Sequence, residues 1–249
     1  MRKNFTVVDT PASLKRLAAD LKRETVIACD LEADSMYHYQ EKVCLLQIAT
    51  ENLTAVVDPL AVQNMAPLKQ LFQNPKIRKI FHGADYDVRS LYRDFRIEIN
   101  NLFDTELACR FLGMRSTGLE PVLKKMFGVK LDKKFQKRDW SQRPLPDNML
   151  RYAAGDTIYL VDLSKILIQK LEEKGRLTWV TEECDILSRV RPAPPDNGPL
   201  YLRFKGAGRI SRRNLAVLEG LLGFRKHLAQ KRDKPLFKII GNEALMKIV

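Results

Sequence analysis

A small set of acidic residues and one tyrosine stand where their spacing lets them share chemistry. Asp30 and Glu32 end the strand-like run Val26-Ile-Ala-Cys-Asp-Leu-Glu, and residues two apart on a strand project to one face, about 6 to 7 Å from each other. Two carboxylates therefore face the same way at a sheet edge. Leu31 turns to the opposite face, where burial would hold the backbone rigid. Tyr152 and Asp156 lie four apart in a helical stretch, so about 400° of rotation stacks them nearly over one another. In the run Phe81-His-Gly-Ala-Asp-Tyr-Asp-Val-Arg-Ser-Leu91 a strand passes into a helix that carries Asp85 and Asp87. These two point about 200° apart, so only one can face a shared site. Carboxylates are oxygen donors of the kind Mg²⁺ and Mn²⁺ prefer. His82 has no second histidine at ligand spacing and reads as a hydrogen-bonded residue at a strand end. Each signal also has a bland reading: an Asp-x-Glu pair can mark a strand leaving the core, and a tyrosine can pack on a helix beside a solvated aspartate.

The elements that must position these residues are legible as period and punctuation. Short β-type runs cover 6–8, 26–32, 43–50, 54–58 and 77–81. Glu51-Asn52 between two of them predicts a hairpin, so at least part of the sheet is antiparallel. Helices are expected over 11–22, capped by Asp9 or Thr10, and over 65–72, 84–95, 105–112 and 119–127. From 146 to 174 the apolar period predicts one continuous helix. Arg191-Pro-Ala-Pro-Pro-Asp-Asn-Gly-Pro199 interrupts this pattern and reads as a linker. The expected division is a first domain over 1–190, a linker over 191–200 and a second domain over 201–249, helical over 212–229 and from 242 onward.

The 249 residues are 45% hydrophobic, enough to bury a sizeable core. No apolar stretch approaches the roughly 20 residues that span a bilayer, and the opening residues run into polar sequence, so the expected location is cytoplasmic, with no membrane partner. Cys29, Cys44, Cys109 and Cys184 are scattered and read as buried thiols. The formal charge is +13, which favours a polyanionic partner. Residues 196–249 hold 12 Lys and Arg against 4 Asp and Glu, a net of +8, whereas 1–195 carry +5. A second basic stretch runs from Lys124 to Arg143 and includes Lys137 and Arg138; it could follow a phosphate backbone without reading sequence.

Taken together, Asp30-Leu-Glu32, His82 with Asp87 and Leu91, and Tyr152-x-x-x-Asp156 resemble the ribonuclease D branch of the DEDD exonuclease superfamily, in its tyrosine-containing subclass. Val43-Cys-Leu-Leu-Gln-Ile-Ala49, Phe103-Asp-Thr105 and Asp139-Trp-Ser-Gln-Arg-Pro-Leu145 match as well. The resemblance implies an α/β, ribonuclease-H-like mixed sheet flanked by helices. It implies a 3′-to-5′ exoribonuclease with two divalent ions, Mg²⁺ or Mn²⁺, held by Asp30, Glu32, Asp87 and Asp156, and Tyr152 orienting the attacking water. The implied product is a nucleoside 5′-monophosphate. The implied partner is RNA with a single-stranded 3′ end, precursor transfer RNA and other stable RNAs included. Met36, Tyr37, His38 and Trp140 are candidates to stack on bases, and Lys137 and Arg138 to touch phosphates. The tail resembles a truncated helicase-and-RNase-D C-terminal (HRDC) domain, notably over 212–231 and 234–243. A DNA exonuclease is the alternative reading, and a non-catalytic nucleic-acid binder the second alternative.

Overall fold

The first helix begins for a local reason. The Thr10 hydroxyl accepts from the Ser13 amide and Ser13 Oγ accepts from the Thr10 amide, a reciprocal cap followed by Pro11 in the first turn. The structure is a computed structural model and describes residues 5–194 and 197–249. Residues 1–4 at the polar N-terminus and 195–196 of the expected linker lie outside the described residues. In chain order the strands are β1 (Thr6–Val8), β2 (Val26–Ala33), β3 (Val43–Ala49), β4 (Thr54–Val57), β5 (Arg78–Phe81) and β6 (Leu102–Asp104). The helices are α1 (Pro11–Leu21), α2 (Pro59–Val62), α3 (Ala66–Gln73), α4 (Asp85–Phe95), α5 (Thr105–Phe111), α6 (Leu119–Phe127), α7 (Asp147–Thr157), α8 (Leu160–Glu173), α9 (Leu177–Ser188), α10 (Arg212–Arg232), α11 (Leu236–Ile239) and α12 (Asn242–Ile248).

The chain divides into two units, the first formed by Met1–Ala33 with Val43–Pro192 and the second by Asp34–Lys42 with Ala193–Val249. The first unit holds one mixed sheet in the order β1-β4-β3-β2-β5-β6. The ladders β4–β3 and β3–β2 are antiparallel; β1–β4, β2–β5 and β5–β6 are parallel. Every residue of β3 and β4 is buried, as expected of strands covered on both faces. Alternation assigns those faces. Leu31, Leu46 and Ile48 join the larger core with Leu14, Leu68, Val88 and Leu163. Leu45 and Val56 join a smaller cluster with Trp140 and with Met149, Ala153 and Ala154 of α7. Because Asp30 pairs with Gln47 and Glu32 with Leu45, both carboxylates lie on the face that α7 covers.

The expected single helix over 146–174 is two. α7 ends at Thr157, and Tyr159 caps α8. The break lets the two apolar stripes pack separately, α7 over β2, β3 and β4, and α8 over β2, β5 and α5. β6, α2, α9 and α11 were not expected; β6, α2 and α11, with three or four residues each, are too short to show a period.

In the second unit, Leu218 and Leu222 of α10 pack with Phe204, Ala207 and Leu245. The segment Asp34–Lys42 is tied in at the end of α10, where Asp233 accepts from the Tyr39 amide at 3.1 Å and lies 2.7 Å from His38 Nδ1. Lys238 Nζ sits 4.1 Å from the centre of the Tyr37 ring. Among the described residues no helix is long and apolar enough to cross a membrane.

Candidate active site

Two neighbouring parallel strands deliver the carboxylates. β2 and β5 run side by side, with Ala28 opposite Ile80, so their C-terminal ends lie together, the usual place for sites in such sheets. β2 carries Asp30 and Glu32 near its end, with a register shift between Glu32 and Ala33, the last residue paired with β3. β5 passes through His82-Gly83-Ala84 into α4. Asp87, in the first turn of α4, is buried, while Asp85 turns outward and forms two 2.9 Å hydrogen bonds with Arg89. Asp156 comes from α7. Carboxylate oxygens of Asp30, Glu32 and Asp156 lie within 4.8 Å of one another.

Crowding these acids away from water raises their proton affinity. Burial, opposed by a hydrogen bond from the Leu31 N–H, pushes Asp30 up to about 7. Burial and then the charge of Asp30 push Asp156 to about 8. Glu32 rises to about 10 through burial, then Asp30, Asp156 and Asp87. Asp87 is held well above the ordinary carboxylate range by burial and then by Asp30. Among the described residues no Lys or Arg contributes to these shifts. An all-oxygen donor set whose negative charges lack a cationic side chain fits hard divalent cations. Tyr152, on the same helix as Asp156, has its hydroxyl pushed further above its ordinary range by burial, then by Asp156, Glu32 and Asp30.

Asp30, Tyr152 and Asp156 open into a cavity of about 390 Å³, walled opposite by Gly118, Glu120 and Lys133. Lys133 pairs with Glu120 at 2.6 Å. Trp140, expected to stack on a base, is instead 1% exposed: it packs behind Tyr152, ring centres 6.0 Å apart, with Phe135 5.7 Å away on the same tyrosine. It fixes the tyrosine ring. Lys137 and Arg138 are exposed. Met36, Tyr37 and His38 belong to the second unit, with Met36 exposed and the other two engaged as described. Arg143, counted in the basic stretch, is a structural residue: it binds both Asp58 oxygens at 2.6 and 2.8 Å and the Cys44 and Trp140 carbonyls.

Residue types alone did not give Asp104 its role. Its carboxylate accepts from Gly83 and Ala84 on one side and from Glu106 and Leu107 at the start of α5 on the other. Thr105 Oγ1 donates to the Phe81 carbonyl and meets His82 Nδ1 at 2.9 Å. This pair clamps the turn that aims Asp87. An aspartate directly before a helix is a cap signal, but the second pair of amides is contributed by a turn 20 residues upstream.

A family model described as 3′-5′ exonuclease matches residues 5–172. The Arabidopsis thaliana protein RRP6-like 2 is 32% identical over 98% of this chain, which spans 30% of its length. The crystal structure of the catalytic core of RRP6 from Trypanosoma brucei superposes with a TM-score of 0.90 at 36% identity, covering 98% of this chain and 69% of that one. Escherichia coli RNase D, described as an exoribonuclease involved in structured RNA processing, superposes with a TM-score of 0.80 at 27% identity, covering 98% and 66%. The chain spans less than two thirds of the length of the curated relatives it matches.

Proposed function

The chain belongs to the 3′-5′ exonuclease family, on its ribonuclease D and RRP6 branch, and from that premise we propose that it removes nucleotides one at a time from the 3′ end of RNA. The observation that carries this reading is the convergence of Asp30, Glu32 and Asp156 within 4.8 Å, with Asp87 and Tyr152 beside them. Asp30, Glu32, Asp87 and Asp156 would hold two divalent ions, Mg²⁺ or Mn²⁺. Such ions, when bound, supply activation of water near neutral pH and stabilisation of charge on attacking and leaving oxygens.

The chain's own residues supply placement. Tyr152 keeps its proton at neutral pH, since burial and neighbouring carboxylates raise its pKa, so it acts as a hydrogen-bond donor or acceptor that orients the attacking water rather than as the base. Trp140 and Phe135 hold its ring. The cavity beside Asp30 and Asp156 receives the terminal nucleotide, with Lys137 and Arg138 on the path of the backbone. Attack at the last phosphate releases a nucleoside 5′-monophosphate and leaves a new 3′-hydroxyl. The tail over 201–249 serves as a short HRDC-like helical segment. The physiological work on this reading is trimming of stable-RNA 3′ ends, precursor transfer RNA included, in the cytoplasm.

The test is a 5′-labelled RNA with a 3′ overhang, followed beside a matched DNA strand in Mg²⁺, Mn²⁺ and chelator. A single-nucleotide ladder that disappears in chelator, and in Asp30→Asn and Asp156→Asn variants, is expected. Undiminished cleavage in chelator would overturn the mechanism, and faster cleavage of the DNA strand would overturn the substrate.

A further inference from the structure

Gln47 is the most deeply buried amide beside the carboxylates, and the proposed exonuclease chemistry gives it no role. It is 0% exposed, and neither Nε2 nor Oε1 has a hydrogen-bond partner. Burying an unsatisfied amide is costly, and each such group in a folded protein calls for an explanation. Its position supplies one. Gln47 lies in the middle of β3 directly opposite Asp30 on β2 and opposite Val56 on β4, on the face that α7 covers. Directly opposed residues have Cβ atoms about 4.5 to 5.5 Å apart, so rotation about the glutamine side-chain torsions carries its amide to the Asp30 carboxylate. On the covering helix, Thr157, one residue after Asp156, is likewise buried with its hydroxyl unpartnered. Gln47 follows Leu45 by two on β3 and Thr157 follows Ala153 by four on α7, so these two polar side chains fall on the faces that otherwise bury Leu45, Val56, Ala153 and Ala154 together with Cys44, Trp140 and Met149.

Resting on the reading that these carboxylates hold divalent ions, we propose that Gln47 is a positioning residue of the site: its Nε2–H donates to the Asp30 carboxylate and fixes the orientation in which that carboxylate takes a cation. Carboxylates that ligate metals are themselves hydrogen-bonded, and loss of such outer partners typically costs about 10- to 100-fold in metal affinity or activity. Asp30 receives a hydrogen bond from the Leu31 N–H, and no Lys or Arg among the described residues contributes to its shift, so a neutral donor from β3 fits. An amide adds direction without adding a positive charge that would compete with the cation.

Gln47→Met tests this, because it keeps the approximate volume while deleting both polar atoms. Neither amide atom has a hydrogen-bond partner in the structure, so Gln47→Met removes no hydrogen bond from it, whereas with a cation bound it removes the proposed donor to Asp30 and weakens binding. In the full chain, thermal unfolding in chelator should give a melting temperature at or above wild type. Mn²⁺ titrations followed by electron paramagnetic resonance of the free ion should show a dissociation constant raised about 10- to 100-fold. Single-turnover RNA cleavage should fall at limiting Mn²⁺ and recover in part at saturation. A wild-type Mn²⁺ affinity in the folded variant overturns the proposal. If Gln47→Met does not fold, Gln47→Leu, which also removes both polar atoms, carries the same two measurements. Failure of both to fold also overturns it, leaving Gln47 a packing residue. Wild type and Asp30→Asn are titrated alongside: absence of Mn²⁺ binding by wild type sinks the metal reading itself, and a tight wild type with an unchanged Gln47→Met sinks only the inference.

Discussion

Tyr152 and Asp156 occupy one face of α7, and burial moves both the same way, holding the proton on each. For the tyrosine this preserves a hydroxyl that can orient water. Tyr152→Phe keeps the ring packed against Trp140 and Phe135 and deletes only that hydroxyl, so turnover should fall on the order of 100-fold, the cost of a nucleophile misplaced by about 1 Å, with RNA binding little changed. Single-turnover rates beside equilibrium binding in Ca²⁺ separate the two; weakened binding with normal chemistry would recast the tyrosine as a substrate contact. For the carboxylates the consequence is a pH-dependent stability. Their folded pKa values are raised, to about 7 for Asp30, about 8 for Asp156 and about 10 for Glu32, against about 4 in the unfolded chain. Between these limits the native state binds more protons than the unfolded one. The cluster's contribution to metal-free stability therefore falls as pH rises from about 4 towards 10. Cations compete with those protons, so the rise in melting temperature caused by Mn²⁺ should grow from pH 5.5 to 8. Thermal scans with Mn²⁺ or chelator measure it, and a Mn²⁺ increment independent of pH would contradict the cluster's place as the binding site.

Elements carry these residues with unequal legibility. The strand ending in Asp30 and Glu32 could be read because β-branched and apolar residues precede two charges, and alternation alone put both charges on one face. The helix bearing Tyr152 and Asp156 could be read from its period, but its end at Thr157 could not, since the apolar stripe continues through Leu160, Val161 and Leu163 and only packing against different strands separates the two helices. Trp140 was a candidate to stack on a base because it lies near the motifs; its burial comes from α7 just downstream and from β3 and β4, which are distant in the chain. The tie from Tyr39 and His38 to Asp233 spans about 195 residues and leaves no local signature. Asp104 is the intermediate case, half cap and half clamp. Asp104→Ala strips four amides of their acceptor and should cost about 3 kcal/mol or more. Asp104→Asn should cost less, because Oδ1 alone serves Gly83, Glu106 and Leu107 while Oδ2 serves only Ala84. Urea unfolding ranks the variants, and Mn²⁺ titration of Asp104→Asn should show weakened binding if the His82–Ala84 turn aims Asp87. Equal stability of Ala and Asn variants would refute the four-amide clamp.

At the scale of the whole molecule, a net charge of +13 attracts any polyanion, and the useful distinction is between cations that meet phosphate and cations already used by the fold. Arg143 belongs to the second class: its guanidinium is shared between the Asp58 carboxylate and three backbone carbonyls. Removing it leaves Asp58, 8% exposed, without its cation, so Arg143→Ala should lower stability by about 3 to 5 kcal/mol. Lys137 and Arg138 are exposed on the same stretch and, on the proposed reading, lie on the path of the phosphates. Each phosphate neutralised on a single strand contributes about 0.7 to the slope of log affinity against log salt. Lys137→Gln and Arg138→Gln should therefore each flatten that slope by about 0.7, weaken binding uniformly across RNA sequences, and leave the melting temperature close to wild type. Fluorescence anisotropy of a labelled 3′-overhang RNA on the Asp30→Asn background, over a range of KCl concentrations, reads the slope without cleavage. Temperature scans of the same proteins read the other axis. If Arg143→Ala changes the slope and spares the fold while Lys137→Gln and Arg138→Gln do the reverse, the division of these cations is inverted and the nucleic acid follows a different face.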